Sequence, residues 1–246
     1  MSLSNTAHTK TVLILGANSD VAKEAIKLYC HAGNKVIAAS RNTGELHAFA
    51  RQQGLNGQVI IQYFDATAFD THRTFLDNLP LKPNIVVYAA GFLAQNEAAM
   101  LDWESSYQMM KVHYCGAVSI LNMIVTDTQN TQLEKIIGLS SLSGVRGRKS
   151  NFIYGSTKAA FTQYLAGLRQ YLFNRNISVH VIVAGYIRSK MTAGLNLPES
   201  LMLEPGFIAN AVVHTPKRFL IVPGIKWKLI YNVLRLMPER WVAKLP

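Results

Sequence analysis

Short apolar segments rich in β-branched residues alternate along the chain with longer segments in which apolar positions recur every three or four residues. Segments of the first kind are typical of buried strands, and those of the second kind are typical of helices that cover a sheet. Seven strands are predicted, at Thr11–Leu15, Lys35–Ala39, Gln58–Tyr63, Asn84–Tyr88, Lys135–Leu139, Ser178–Val183 and Arg218–Val222. The main predicted helices are Asp20–His31, Glu45–Gln53, Trp103–Thr126, Phe152–Asn174 and Glu199–Val213.

This alternation predicts an α/β fold, in which right-handed crossovers build a doubly wound, seven-stranded parallel sheet with helices on both faces. Ligands are expected at the carboxyl ends of the strands. Residues 1–246 are predicted to form one domain, because the chain is 49% hydrophobic and no repeat or linker interrupts the pattern. The polar residues 1–10 are expected to be flexible, and residues 190–198 with the following helix are expected to form a substrate lid. Residues 216–246 are expected to hold the last strand and a basic amphipathic segment.

The sequence carries no evident targeting or membrane-spanning segment. The first ten residues have no apolar core, which argues against a signal peptide or an anchor. No apolar run reaches the ~18 residues that a spanning helix needs, since polar residues interrupt the longest charge-free stretch, 112–126. A cytoplasmic location is therefore expected, with Cys30 and Cys115 as free thiols inside predicted helices.

The charge of the chain favours an anionic partner, because 25 Lys and Arg against 14 Asp and Glu give a formal net charge of +11. Seven of the basic residues and only one acidic residue lie within 216–246. These cations are interleaved with large aliphatic residues and belong to no recognisable nucleic-acid-binding module, so nucleic acid is not the expected partner. The seven histidines are scattered, and no metal site is predicted.

The turn after the first predicted strand has the composition of a phosphate-binding loop. It reads Gly16-Ala17-Asn18-Ser19-Asp20-Val21-Ala22 and leads into a helix. Backbone N–H groups at such a helix N-terminus can bind a pyrophosphate, and small residues allow close approach. Only Gly16 remains of the usual three glycines, while Ala22 can pack the helix against the strand and Asp20 can cap the helix. The alternative is that Gly16 only makes a strand-to-helix turn.

The end of the second predicted strand favours NADP over NAD. An acidic residue normally binds the ribose 2′-hydroxyl of NAD at this position, but this chain has Ser40 and Arg41. Serine can hydrogen-bond a 2′-phosphate and arginine can neutralise it, although Arg41 as an ordinary surface cation is the alternative. Asp65, after the third strand, is placed to accept from the adenine amino group, or to form a turn or cap.

A serine, a tyrosine and a lysine form the strongest chemical signal. Tyr154 and Lys158 are four residues apart on a predicted helix and therefore share a face, and Ser141 precedes them at the end of the fifth strand. An adjacent ammonium stabilises a phenolate and brings the tyrosine closer to useful acid–base chemistry near neutral pH. The Ser141 hydroxyl can donate to a carbonyl oxygen and hold it in line for hydride attack.

Together these motifs resemble the short-chain dehydrogenase/reductase family of Rossmann-fold oxidoreductases over nearly the whole chain. The resemblance implies that Tyr154 protonates a carbonyl oxygen, that Lys158 binds the nicotinamide ribose and lowers the tyrosine pKa, and that Ser141 orients the substrate. The expected cofactor-binding residues are Gly16, Asn18, Ser19, Asp20, Val21, Ser40, Arg41, Asp65, Ala66, Ala89, Ala90, Gly91, Tyr154, Lys158, Gly185, Ile187 and Ser189.

Two positions depart from the pattern of the family. The chain reads Tyr88-Ala89-Ala90-Gly91 where the family usually has Asn-Asn-Ala-Gly, but the residues remain small. His113 occupies the place of an asparagine that holds a water in the proton relay of the family. An imidazole can also bridge a water to Lys158, so His113 is included among the candidate catalytic residues. A hydrogen-bonded structural histidine is the alternative.

The predicted helix Lys226–Met237 is basic and apolar. Lys228, Asn232 and Arg235 form a narrow polar stripe, and large apolar residues cover most of the remaining surface. With Trp241, residues 226–241 resemble an interfacial anchor on the inner face of a membrane, while packing on the same subunit or in a homo-oligomer, a dimer or tetramer, is the alternative. The ending is similar to that of reductases acting on polyprenyl-phosphate-linked keto-sugars.

The leading hypothesis is an NADPH-dependent carbonyl reductase acting on a lipid-linked sugar or another amphipathic lipid. A soluble keto-reductase or alcohol dehydrogenase of small metabolites is the alternative within enzymes. A nucleotide-binding regulatory protein with impaired catalysis is the alternative outside them, which the loss of glycines and His113 would suit. The retained Ser141, Tyr154 and Lys158 argue against that last hypothesis.

Overall fold

The computed structural model describes residues 9–245. Residues 1–8 of the segment expected to be flexible therefore lie outside the described residues. Lys10, which directly precedes the first strand, has two partners. Its backbone N–H donates to Asn34 Oδ1 at 3.2 Å, and its ammonium pairs with Glu134.

The predicted α/β fold is confirmed. Seven parallel strands form one sheet in the order β3-β2-β1-β4-β5-β6-β7. This order reverses between β1 and β4, where a doubly wound sheet opens a crevice for ligands. The strands are β1 Thr11–Leu15, β2 Lys35–Ser40, β3 Val59–Tyr63, β4 Ile85–Tyr88, β5 Lys135–Ser141, β6 Ser178–Ala184 and β7 Leu220–Ile221.

Helices cover both faces of the sheet. They are α1 Asp20–His31, α2 Thr43–Gln52, α3 His72–Asp77, α4 Asn96–Leu101, α5 Trp103–Met110, α6 Gly116–Thr126, α7 Phe152–Tyr171, α8 Pro205–Val213, α9 Ile225–Leu236 and α10 Glu239–Val242. A π-helical turn, Lys111–Cys115, joins α5 to α6 and completes the predicted helix Trp103–Thr126. Such turns are rare and occur often at functional sites, and this one contains His113.

The last predicted strand and the helix before it are both shorter than expected. The strand was expected over Arg218–Val222 but pairs only at Leu220–Ile221, two residues before Pro223, which has no N–H to donate. The helix expected over Glu199–Val213 begins at Pro205, a residue that is favoured in the first turn. A 3₁₀ turn and a bridge between Ile187 and Leu203 occupy the earlier part.

The core forms two layers, one on each face of the sheet. Successive residues of a strand point to opposite faces, so Leu13 and Leu15 belong to one layer and Val12 and Ile14 to the other. The first layer is closed by α6, α7 and α9, and the second by α1, α2 and α8. Because both faces are covered, the strands read as continuous apolar runs rather than as alternating ones.

The helix Trp103–Thr126 is long and apolar enough to cross a membrane by length and composition, with a mean hydropathy of 1.2. Half of its most apolar stretch is buried inside the protein. Its side chains Ile120, Leu121 and Ile124 pack into the first core layer. A core helix therefore accounts for this apolar composition.

Candidate active site

A cavity of about 330 Å³, called the cleft below, lies at the carboxyl ends of the central strands. Its walls include every residue predicted to bind the cofactor except Gly185. Six residues that the motifs did not indicate also line the cleft: Phe64, Val112, Leu139, Ser140, Lys190 and Met191. Phe64 and Ser140 directly precede Asp65 and Ser141, so their positions at strand ends were a usable signal. Lys190 and Met191 reach the cleft only through the folding of the loop after β6.

Gly16 forms the floor of the cleft between β1 and α1. Its φ is +86°, and a Cβ at this position would overlap with the backbone of Ala89 and Ala90. Glycine is thus required by both conformation and space. The following turn leads to the N-terminus of a 12-residue helix, where backbone N–H groups can meet a pyrophosphate.

Asp20 was expected to cap α1 or to bind the cofactor, but it does not cap the helix. Ser19 is the cap residue, since its hydroxyl accepts from the Ala22 N–H at 3.1 Å. Asp20 instead accepts from the backbone N–H of Lys190 at 2.7 Å. The Lys190 ammonium pairs with Glu45 at 2.7 Å. These two contacts hold the segment after β6 against α1 and α2 beside the cleft. Of the segment expected to form the lid, Lys190 and Met191 line the cleft, whereas α8 packs on α1.

Asn18 joins the phosphate-binding turn to the end of β2. Its amide donates to Ser40 Oγ at 3.0 Å and to the Asn42 carbonyl at 2.8 Å. Its Oδ1 atom is buried and has no partner among the described residues, which leaves an acceptor for a ligand hydroxyl. Ser40 keeps its own proton to donate, and the exposed Arg41 lies beside it. The described residues thus fit the phosphates and ribose of a nicotinamide dinucleotide.

Asp65 forms the turn that was one of the two roles considered for it. One carboxylate oxygen accepts from the backbone N–H and the hydroxyl of Thr67, each at 2.9 Å, which is a local turn. The residue also lines the cleft. Its backbone carbonyl lies 3.0 Å from Nε2 of the buried His72, a contact that sequence reasoning missed.

Tyr154 and Lys158 lie one turn apart on α7, and both line the cleft. The Lys158 ammonium is buried and donates to the Leu139 carbonyl of β5 at 3.1 Å. It lies 5.9 Å from the centre of the Tyr154 ring. Ser141 Oγ accepts from the Ser143 N–H at 3.1 Å, which leaves the Ser141 proton to be donated to Tyr154 or to a substrate oxygen.

Burial dominates the acid–base properties of this pair. Burial raises the pKa of Tyr154 to about 12, partly offset by a hydrogen bond from Ser141. Burial lowers the pKa of Lys158 to about 8. The family resemblance implies a lowered tyrosine pKa, whereas here the pKa is raised, because removing the phenol from water disfavours the phenolate more than its neighbours stabilise it. At neutral pH the tyrosine is protonated and the lysine is mainly charged.

His113 is fully buried, and both nitrogens of its ring have protein partners. The Phe92 N–H donates to Nε2 at 3.0 Å, and Nδ1 lies 2.7 Å from Thr157 Oγ1. Thr157 donates its own proton to the Tyr154 carbonyl at 2.7 Å, so Nδ1 must carry the histidine proton. Burial and the Lys158 charge hold the pKa of His113 well below its usual value, which keeps the ring neutral.

Gly185 lies outside the cleft and lines a second cavity, called the α9 cavity below. A Cβ on Gly185 would overlap with the indole of Trp227, whose N–H donates to the Leu201 carbonyl at 2.9 Å. Ser141 lines the same cavity. Gly185 thus allows α9 to approach the end of β6, beside the cavity that Ser141 also lines.

The potential metal ligands and the cysteines of the described chain were also located. Among residues 9–245, no group of three or more His, Cys, Asp and Glu side chains is arranged to hold a metal ion. Cys30 is buried and Cys115 is partly buried, and both are free.

The sequence of this chain matches the family of short chain dehydrogenases over residues 10–200, and the chain belongs to that family. A relative described as an uncharacterized oxidoreductase, from Mycobacterium tuberculosis (strain ATCC 25618 / H37Rv), is 25% identical and is matched over 96% of each chain.

Solved structures share the fold at lower identity. A short chain dehydrogenase from Burkholderia cenocepacia J2315 in complex with NADP superposes with a TM-score of 0.81 at 17% identity, covering 95% of this chain and 94% of that one. A 7beta-hydroxysteroid dehydrogenase superposes equally well, with a TM-score of 0.81 at 17% identity over 95% of both chains. This protein is an NAD(P)-dependent oxidoreductase of the short-chain dehydrogenase type.

Proposed function

We propose that this protein is an NADPH-dependent carbonyl reductase in which Tyr154 protonates the carbonyl oxygen of the substrate. The arrangement of Ser141, Tyr154 and Lys158 between the cleft and the α9 cavity carries the proposal. NADPH, when bound, supplies the hydride that is added to the carbonyl carbon. The residues of the chain orient the carbonyl and deliver the proton.

Each of the three side chains is in the state that this role requires at neutral pH. The raised pKa of Tyr154 keeps its proton in place until a negative oxygen develops beside it. The Lys158 ammonium then stabilises the phenolate that is left, and it binds the ribose of the cofactor. The Ser141 proton donates to the same carbonyl oxygen and holds it in line.

The preference for NADPH over NADH is supported by the end of β2. Ser40 and Arg41 line the cleft where an acidic residue would repel a 2′-phosphate. The neighbouring cations Lys23 and Lys190 are both paired with Glu45, which leaves Arg41 as the cation that we assign to this phosphate.

We assign His113 a positioning role in place of the water relay considered from the sequence. A water on either ring nitrogen would displace the Phe92 N–H or Thr157. With these partners, the neutral ring connects the loop after β4 to the backbone of α7 at Tyr154. It therefore fixes the position of the Tyr154 backbone, and with it the catalytic side chain, relative to the cleft.

The α9 cavity supports an amphipathic substrate, such as a lipid-linked sugar. It is mainly apolar and is walled by Trp227, Ile230 and Leu234 beside Ser141. A small polar metabolite would leave most of this apolar wall without contact, so the soluble keto-reductase stays the second candidate. A regulatory protein without catalysis is disfavoured, because all three catalytic side chains line the two cavities.

The exposed face of α9 supports contact with a membrane surface. Trp227 and Leu234 pack on the same subunit, as one of the alternatives expected, but Ile225, Leu229 and Leu236 remain exposed. The basic side chains Lys226, Lys228, Arg235, Arg240 and Lys244 are exposed on the same segment. Apolar area and cations together are what an interfacial helix uses on anionic lipid. A homo-oligomer, dimer or tetramer, is the competing use of this face.

The central experiment measures NADPH oxidation with a panel of ketones that differ in the length of an attached alkyl chain. We expect turnover that increases with chain length, because a longer chain fills more of the α9 cavity. The matched control is Lys158→Met, which removes the buried ammonium at similar length. Turnover that is equal in the parent and the control would show that the proposed chemistry is wrong.

A further inference from the structure

The α9 cavity has a volume of about 400 Å³ and an uneven distribution of charge. Arg148 is the single charged residue among those that line it. The other polar side chains of the lining are the hydroxyls of Ser141, Ser143 and Tyr186. An otherwise apolar cavity with one guanidinium at its wall is suited to a ligand that is apolar along most of its length and anionic at one end.

Arg148 is half-buried, and its guanidinium has few hydrogen-bond partners in the protein. Its Nε is buried and has no hydrogen-bond partner among the described residues. Its Nη2 lies 3.5 Å from Ser143 Oγ, at the outer limit of a hydrogen bond. That oxygen already accepts from the Asn151 amide at 3.0 Å. No carboxylate of the described chain lies within ion-pair distance of Arg148, so its charge is not neutralised by the protein.

The nearby Arg146 shows what a structural arginine looks like in the same loop. Its Nη2 donates to the Met237 carbonyl at 2.6 Å and pairs with Glu239 at 3.2 Å. Those contacts tie the loop to the chain after α9. The Nε of Arg146 also has no partner, but the charge of Arg146 is paired with Glu239, whereas Arg148 makes no equivalent contact. An unsatisfied buried donor is unfavourable for the folded protein. A donor kept unpaired at the wall of a cavity points to a ligand that completes it.

We propose that Arg148 binds an anionic group of the substrate, a phosphate or a carboxylate, while the apolar part of the substrate fills the α9 cavity. The inference rests on the proposed function, because it takes this cavity as the substrate pocket. The planar guanidinium can make two parallel hydrogen bonds to such an anion. Since Ser143 contacts Arg148 and Ser141 is two residues away in the same wall, the anion would lie on the substrate side of the catalytic serine.

The test measures binding of three ten-carbon probes to the purified protein in the presence of saturating NADPH. Decyl phosphate and decanoate carry the two candidate anions, and decanol carries the same chain without charge. Titration calorimetry below the micelle concentration should give at least about tenfold tighter binding of one anion than of decanol, as one charge-assisted contact provides. The anion that gains more identifies which of the two groups the site prefers.

Variants of two neighbouring cations make the test specific. Arg148→Gln should bring the better anion to within about twofold of decanol, and Arg148→Lys should restore part of the difference. Lys149→Gln, which removes an exposed charge one residue away, should leave the difference unchanged. Circular dichroism identifies any variant that fails to fold. If Arg148→Gln does not fold, the comparison of Arg148→Lys with the parent tests the role of Arg148.

Equal affinities for the anions and decanol in the parent protein would overturn the inference. The same holds if Lys149→Gln abolishes the difference as fully as Arg148→Gln does, because the effect would then be one of general charge. Binding is measured without turnover, so the proposed function is tested separately. If the protein turns over neutral ketones but binds anions no better than decanol, only the proposed role of Arg148 is wrong. If it prefers the anions but oxidises no NADPH with any ketone, only the proposed reductase activity is wrong.

Discussion

Tyr154 lines the cleft and Ser141 lines the α9 cavity, but the two cavities are built in different ways. Most of the cleft comes from residues that directly follow strands β1 to β4, and its walls carry amides, hydroxyls, two carboxylates and cations. The α9 cavity brings the end of β5 together with β6 and with a helix about ninety residues further along the chain. Its walls are apolar apart from Arg148 and three hydroxyl side chains.

This difference separates the part of the site that the fold provides from the part that determines the substrate. Parallel strands deliver their carboxyl ends to one edge, so a nucleotide site arises wherever small and polar residues follow them. The α9 cavity has no such general origin, because it depends on one helix packing over Gly185. We therefore expect changes in the cleft to alter chemistry and cofactor choice, and changes around α9 to alter substrate choice and location.

The largest effect is expected from Tyr154→Phe, which removes the proton donor of the cleft and almost no volume. Turnover should fall by roughly 10²-fold or more, while NADPH affinity and folding stay the same. Single-turnover kinetics with the best ketone of the panel, together with calorimetric titration of NADPH, separate the two properties. Activity within twofold of the parent would mean that another group delivers the proton.

The next effect concerns the dependence of stability on pH. Burial lowers the pKa of His72, His113 and His180, so the folded protein keeps them neutral while the unfolded chain protonates them below a pKa near ~6.5. The unfolded state then binds more protons, and the free energy of unfolding falls as the pH drops below that value. Each histidine contributes up to about 1.4 kcal/mol per pH unit.

Urea unfolding between about pH 7 and about pH 5 measures this slope. His113→Gln should reduce it, since the group no longer titrates. The exposed His47 provides the control, because His47→Gln should leave the slope as it is. Equal slopes for all three proteins would contradict the neutral state assigned to His113.

Cofactor choice is expected to change with Arg41. The parent should bind NADPH at least about tenfold more tightly than NADH, a difference of ~1.4 kcal/mol. Arg41→Ala should erase most of this difference by weakening NADPH alone, because only NADPH carries the 2′-phosphate. The exposed Arg51 on α2 serves as the control, since Arg51→Ala also removes one surface cation. If both variants weaken NADPH equally, overall charge rather than Arg41 sets the preference.

The smallest expected effect tests α9 as a membrane contact. Leu234 is buried, so the suitable position is Leu236, which is 81% exposed. Leu236→Glu should weaken flotation with anionic vesicles roughly fivefold, since it removes about 1 kcal/mol of apolar burial. Phe173→Glu is the control, because it places the same negative charge on an exposed apolar residue outside α9. It should leave vesicle binding unchanged.

Light scattering on the same samples separates the membrane from an oligomer. If the parent stays out of anionic vesicles at low salt and Leu236→Glu lowers the native mass, α9 is a subunit interface. In that case the amphipathic substrate loses the support of the membrane contact. The α9 cavity would then have to be explained by packing between subunits.

Much of the cleft could be predicted because its residues are close in sequence to elements with a clear periodicity. Gly16, Ser40, Asp65 and Ser141 each stand at or just after the end of a predicted strand, and the strands were located to within a few residues. The roles of Asp20 and His113 were not predictable in the same way. Each depends on a partner far away in the chain, Lys190 for one and Phe92 with Thr157 for the other.

The sequence by itself determined the parallel α/β fold and the family, and it indicated the candidate catalytic residues, because these follow from local periodicity and from motifs of a few residues. The tertiary structure decided that burial raises the tyrosine pKa, that Gly185 faces Trp227 rather than the cleft, and that Arg148 stands unpaired at the wall of an apolar cavity. The physical reason is that desolvation, cavity shape and hydrogen-bond satisfaction depend on every group packed around an atom. Those neighbours come from segments that only folding brings together.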